Sequence, residues 1–192
     1  IMTALLAIEN LPDLNETITV PEDIFEELTA QDASVAGFNP YEQPTVRDLL
    51  YGVLLPSGAD ACETLARAVG GSEEGFVAMM NQKAEELGLT NTHFENCTGL
   101  HNDNHYSTCR DIAVLMSECL KSDTFREIVT REVYTTEATA SHPEGITLYD
   151  TMLHRFTSYE MSTTLENGAV IEGGKTGFTD EAGQCLVSFA EY

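Results

Sequence analysis

The stretch "IEGGKTGFTDEAG" (Ile171–Gly183) decides what the second half of the chain builds. Residues Ala169 to Thr179 favour an extended strand, Gln184 to Tyr192 favour a second, and Asp180 to Gly183 supply the turn between them. Together they read as an antiparallel hairpin. Successive side chains on a strand point to opposite faces, so Lys175 and Gly177 share one face and Thr176 takes the other. Lys175 is one of only three lysines in a chain with 32 acidic and 9 basic side chains, and glycines flank it. A glycine within a strand marks close approach of another backbone or of a ligand. Two readings of Lys175 stand at this point. An ammonium with open space beside it suits capture of a carboxylate, with the Thr176 hydroxyl as a second donor. A lysine on an exposed edge strand also serves to discourage pairing with another chain.

Working back from the hairpin, Asn167-Gly168 is a turn signal and "REVYTTEATA" (131–140) is rich in β-branched and aromatic residues, as a strand is. Before it the chain reads as helical. Thr45 with Asp48 three residues on forms a helix start, followed by Val46, Leu49, Leu50, Val53 and Leu54. A second helix is expected from about Ser57 to Val69 and a third from Ser72 to Gly88. A fourth runs from Ser107 or Thr108 to Leu120, and a short fifth covers 122–129. "ETITV" (16–20) alternates as a short strand, 21–28 fits one or two helical turns, and Gly37, Pro40 and Pro44 make 33–44 a loop. The fold class is therefore α+β: one domain over 1–192, with a helical lobe at about 22–130 and a sheet-forming part at about 131–192.

The formal charge of -23 argues against nucleic acid and against an anionic membrane surface as partners, because both need clustered Lys and Arg. Any anionic ligand must be held by one local positive site working against the overall field. Cys62, Cys97, Cys109, Cys119 and Cys185 show neither C-x-x-C pairs nor a disulfide framework. No apolar run reaches the ~20 residues of a membrane span. The apolar stripe Ile1, Met2, Leu5, Leu6 and Ile8 starts without a preceding cap, and "QCLVSFAEY" stops without a turn. The expectation is a piece of a longer chain, cut at both ends.

Other residues invite chemical readings. Ser57 stands at the joint of two apolar helical stretches and, taken alone, reads as a helix cap. His93, Cys97, His101, His105 and Cys109 recur every four residues, and imidazole and thiolate are zinc ligands. However, Gly99 and Asn102-Asp103-Asn104 interrupt any continuous helix, so the spacing loses its geometric meaning and no metal is assigned. Phe76, Met79, Met80 and Leu87 read as core. The pairs Glu26-Glu27, Glu73-Glu74 and Glu85-Glu86 read as solvated helix faces.

Ser57-Gly58 at a helix joint and Lys175-Thr176-Gly177 on a late strand stand in the order of the S-x-N and K-T-G elements of penicillin-recognising serine enzymes. With "IMTALLAIEN", "TVRDLLYGVLLPSGADA" and above all "FVAMMNQKAEELGLTNTHFENCTGLHNDNHYST", nearly the whole chain resembles the serine D-alanyl-D-alanine carboxypeptidases, the low-molecular-mass penicillin-binding proteins. The resemblance implies the transpeptidase-like fold of those proteins, incomplete here. It also implies an acyl-enzyme reaction that removes the terminal D-alanine of peptidoglycan stem peptides, with β-lactams acylating the same serine. It places Ser57 in proton relay and Lys175, Thr176 and Gly177 at the substrate carboxylate, with no cofactor. Its nucleophilic S-x-x-K would lie upstream of Ile1, so this stretch is expected to be inactive alone. Ala59 departs from the asparagine usual in the family. The resemblance further implies an extracytoplasmic, cell-envelope location. Strands lost with the chain ends would leave open edges, giving a homodimer or aggregation through an edge strand. The alternatives are a non-catalytic interaction module of the same fold and, remotely, a zinc-binding protein.

Overall fold

A computed structural model describes residues 1–191; the last residue of the expected final strand, Tyr192, lies outside them. Seven helices come first: α1 (Met2–Asn10), α2 (Ile24–Ala30), α3 (Val46–Leu54), α4 (Ala59–Gly70), α5 (Glu73–Glu86), α6 (Cys109–Cys119) and α7 (Asp123–Val129). Two short strands follow, β1 (Val133–Thr135) and β2 (Thr147–Tyr149), then α8 (Leu153–Ser158) and the hairpin β3 (Val170–Thr179) and β4 (Gly183–Glu191). The architecture is α+β.

Local chemistry sets four of the eight helix starts among the described residues. Thr45 and Asp48 close a reciprocal capping box on α3. The hydroxyls of Ser72, Thr108 and Ser122 accept from the backbone N–H three residues on at the starts of α5, α6 and α7. Helix α1 is apolar nearly all round, with Met2 to Ala7 all buried, and such a helix belongs inside a core. It packs against α3, α4, α5 and α7. Helix α4 is its counterpart: Ala59 to Ala66 are all buried, and α1, α2, α3 and α5 surround it. Phe76 and Met80 are buried in the same core, with Met79 and Leu87 at its margin.

The sheets are two antiparallel pairs, β1 with β2 and β3 with β4. The long hairpin pairs Lys175 with Val187, Thr176 with Leu186 and Gly177 with Cys185, with an irregularity between Ile171 and Gly173. It sits directly on α7. A Cβ on Gly173 would lie 2.3 Å from the Val129 carbonyl oxygen, and one on Gly174 would lie 2.5 Å from that of Val187. These two glycines therefore make room for neighbouring backbone rather than for a ligand. Val187 and Phe189 face inward onto the helical core.

Three expectations need correction. The 131–140 strand shrinks to Val133–Thr135, because only those residues find partners on β2. The 16–20 stretch forms a single bridge, Thr17 to Thr45, with Ile18 and Val20 donating to the Pro44 and Glu42 carbonyls. Strand β2 and helix α8 lie where no element is expected. No helix among the described residues is long and apolar enough to cross a membrane.

Candidate active-site cleft

A cleft of about 640 Å³ opens between the α3–α4 joint and the β3–β4 hairpin. Ser57, Lys175, Thr176 and Gly177 all line it, with Ile1 at one end. The Lys175 ammonium donates to Ser57 Oγ and, at 3.0 Å, to the carbonyl of Thr176. Two residues 118 apart in sequence thus meet across the cleft.

The serine side depends on an uncommon backbone. Ser57 does not cap α4: no side-chain cap bond exists there, and Gly58 holds the N-cap position. Ser57 instead takes a φ of +63°, in the left-handed region that L-residues with a Cβ disfavour. That turn aims its hydroxyl at Lys175 instead of along the helix. Gly58 fixes the turn by donating to the Gly52 carbonyl at 2.8 Å. No larger residue fits, since a Cβ there would lie 2.6 Å from Ala36 Cβ and 2.8 Å from Asp60 Oδ1.

Asp60 is fully buried, and its carboxylate accepts from the N–H groups of Ala36 (2.7 Å), Gly37 (3.0 Å) and Phe38 (3.0 Å). It thereby ties the 36–38 loop, which continues from the cleft-lining Asp32, Ala33 and Ser34, to the start of α4. Sequence reasoning missed it. The one available signal was an acid three residues after Ser57, which also fits an ordinary first-turn aspartate.

The strand side is ordered by α8. Asp150 Oδ1 accepts from Met152 N (2.8 Å) and Leu153 N (2.6 Å), capping that helix, while Thr151 Oγ1 meets Thr176 Oγ1 at 2.5 Å. The Thr176 hydroxyl is thus hydrogen-bonded to Thr151, and either of the two can be the donor. Burial lowers the Lys175 pKa from the usual lysine value, and the nearby Asp150 carboxylate pulls the other way. Burial likewise raises Asp150, against the two N–H groups that hold it. A partly desolvated ammonium next to a hydroxyl has two chemical capacities. It can bind a carboxylate strongly, because little water competes, and it gives up a proton more readily than a surface lysine. Gly177 lines the cleft, and a Cβ there would meet only Cys185 Cβ, at 3.6 Å. Arg155 also lines the cleft and was not anticipated.

The four-residue His/Cys series does not converge. His93 Nδ1 contacts the Asn104 carbonyl, His105 accepts from Glu95 N, and Cys109 is exposed on α6. Of the acidic pairs, Glu26-Glu27 and Glu85-Glu86 are exposed as expected. Glu73 is not: it is half-buried because Cys97 N donates to its Oε1 at 3.1 Å.

Comparison with known proteins identifies relatives along the whole chain. D-alanyl-D-alanine carboxypeptidase DacF of Bacillus subtilis is 34% identical over 192 residues, covering 100% of this chain and 46% of its own length. The D-alanyl-D-alanine carboxypeptidase of Streptomyces sp. strain K15 is 36% identical over 195 residues, covering 97% of this chain and 64% of its own length. The chain thus spans about half to two thirds of these two relatives. The crystal structure of the Streptomyces K15 DD-transpeptidase superposes with a TM-score of 0.84 at 34% identity, covering 100% of this chain and 73% of that one. The α+β arrangement is therefore that of the penicillin-binding transpeptidases. With the family profile described as D-alanyl-D-alanine carboxypeptidase matching residues 1–192, the chain belongs to the peptidase S11 family.

Proposed function

We propose that this chain forms the carboxylate-binding part of a serine D-alanyl-D-alanine carboxypeptidase acting on peptidoglycan stem peptides in the bacterial cell envelope. The observation that carries the reading is the Lys175 ammonium at the Ser57 hydroxyl inside an open cleft. In this reading Lys175 receives the terminal carboxylate of the peptide. The strand edge beside it takes the peptide backbone as an added strand, and Gly177 leaves space for it. Ser57 passes a proton between Lys175 and the reacting groups; the lowered Lys175 pKa supports that relay. The nucleophile is the serine of the family's S-x-x-K, deprotonated by its lysine. It attacks the D-Ala-D-Ala peptide bond, D-alanine leaves with the proton, and water then cleaves the acyl ester. A β-lactam acylates the same serine. No serine of these 192 residues is followed by lysine three positions on.

The test is covalent labelling with a fluorescent penicillin. The 192-residue chain is expected to give no band, and a clear band on it would overturn the assignment. A longer protein that carries S-x-x-K is expected to label. In that protein Lys175→Ala should slow labelling at least about tenfold, as loss of a desolvated charge partner does. Unchanged labelling would remove Lys175 from the site. The rival reading is a non-catalytic module of the same fold. A parent protein that also lacks S-x-x-K and never labels would establish that rival.

A further inference from the structure

Beside a wall of the cleft, three side chains from separate elements meet. Glu63 lies on α4, Glu73 opens α5, and Cys97 sits in the loop between α5 and α6. A carboxylate oxygen of each glutamate and Sγ of Cys97 all lie within 4.8 Å of one another, the only such group of three among the described residues. Cys97 Sγ donates to Glu63 Oε1 at 3.3 Å. The Cys97 N–H orients Glu73 by donating to its Oε1 at 3.1 Å.

One atom is left over. Glu63 is 7% exposed, yet its Oε2 has no hydrogen-bond partner, alone among buried side-chain oxygens and nitrogens of the described residues. Arg67 Nε forms an ion pair with it at 3.6 Å, too long for a hydrogen bond, while the Arg67 Nη1 group donates to Asp23. A buried carboxylate oxygen without a partner is costly unless something else completes it. Glu63 and Glu73 both line a second cavity of about 200 Å³, large enough to admit an ion with water.

We propose that Glu63, Glu73 and Cys97 form a binding site for a thiophilic divalent metal ion, zinc by preference, with water from the cavity as the fourth ligand. The donor set selects the ion. Two carboxylates and one sulfur suit tetrahedral zinc, whereas calcium and magnesium take oxygen ligands alone. The ion displaces protons. Cys97 enters as thiolate and releases one, and Glu63 releases another where it is protonated. In the metal-free protein the thiol keeps its proton, and Glu63 keeps its own below about pH 7. Burial keeps the Cys97 thiol well above its usual range, and burial with the Glu73 charge raises Glu63 to about 7. Arg67 weakens the site by its charge; the acidic surplus of the chain raises the local cation concentration in compensation. This site is not the four-residue His/Cys series, from which it takes only Cys97.

The site has a structural consequence for the cleft. Cys97 directly precedes Thr98, Gly99 and Leu100, which line the Lys175 cleft, and Thr98 and Leu100 also line the second cavity. An ion on Cys97 pins this shared wall to α4 and α5.

Titration of the reduced, metal-free protein with Co²⁺ tests the site by the thiolate-to-cobalt absorption band. One equivalent is expected to saturate the band, and Zn²⁺ is expected to abolish it by displacement. Cys97→Ser should remove the band, while the exposed-thiol double variant Cys109→Ser/Cys185→Ser should keep it. If Cys97→Ser fails to fold, Glu63→Gln and Glu73→Gln keep the thiol and should weaken binding by at least about tenfold. The proposal is overturned if the wild-type protein shows no thiolate band. It is equally overturned if the band survives in folded Cys97→Ser, or if both glutamine variants bind as tightly as wild type. Penicillin labelling has no part in these readouts, so the site stands or falls independently of the proposed activity.

Discussion

At the scale of single residues, Gly58 and Asp60 set the serine side of the cleft. Gly58→Ala introduces a Cβ that must displace Ala36 or the Asp60 carboxylate. Destabilisation of about 1–3 kcal/mol is expected, as for overpacking of a tight core site, measurable by chemical denaturation. A fully stable variant would show that the 36–38 loop yields easily. Asp60→Ala removes the acceptor of four backbone N–H groups, those of Ala36, Gly37, Phe38 and Ala61, and leaves the Ala36, Phe38 and Ala61 groups in a buried place. The expected loss is about 3 kcal/mol or more, read from the shift of the unfolding midpoint. Asp60→Asn keeps the shape and one carbonyl oxygen, so it should lose less. Neither role is visible in the sequence, where Gly58 passes for a flexible joint and Asp60 for a first-turn acid.

At the scale of elements, the helices announce themselves and the short strands do not. The starts of α3, α5, α6 and α7 rest on a hydroxyl and a backbone N–H three residues apart, so reading a few neighbouring residues suffices. The pairing of β1 with β2 depends on residues 12 to 16 positions apart and on only three rungs, which leaves little periodicity to detect. Ser57 is the instructive case. A hydroxyl before an apolar helix ordinarily caps it, but here Lys175, 118 residues away, claims that hydroxyl. Only the resemblance to a family joined the two. Glu73, taken as a solvated first-turn acid, is drawn inward by a loop the helix pattern does not contain.

The same contact between α4, α5 and the Cys97 loop makes stability depend on pH. Glu63 has its pKa raised from 4.5 to about 7, by burial first and by the Glu73 carboxylate from α5 second, with Cys97 and Arg67 opposing. The folded protein therefore holds this proton more tightly than the unfolded chain. Its stabilising contribution is complete below about pH 4.5 and is lost as pH rises through about 7. Denaturation midpoints should fall between pH 5 and pH 8 by more in the wild-type protein than in Glu63→Gln. Equal slopes would remove Glu63 as the cause.

At the scale of the whole molecule, a charge of -23 and an open two-stranded sheet pull in opposite directions. The β3–β4 pair exposes Phe178 and Leu186, each more than 60% accessible, beside backbone that no third strand of the described residues pairs along its length. Mutual repulsion keeps such chains apart at low salt, and screening removes it. Light scattering is expected to show association that grows with protein concentration and with added salt. A monomer under both conditions would mean that this sheet resists pairing. The cleft itself is gauged differently. On one side β3 rests on α7 through Gly173, against the Val129 carbonyl; on the other the serine turn rests on Ala36 through Gly58. Both jaws are thus seated in tight contacts, and apolar exchanges deeper in the molecule are expected to change their separation little. An aperture so seated is expected to admit a guest by its thickness and to exclude a bulkier one.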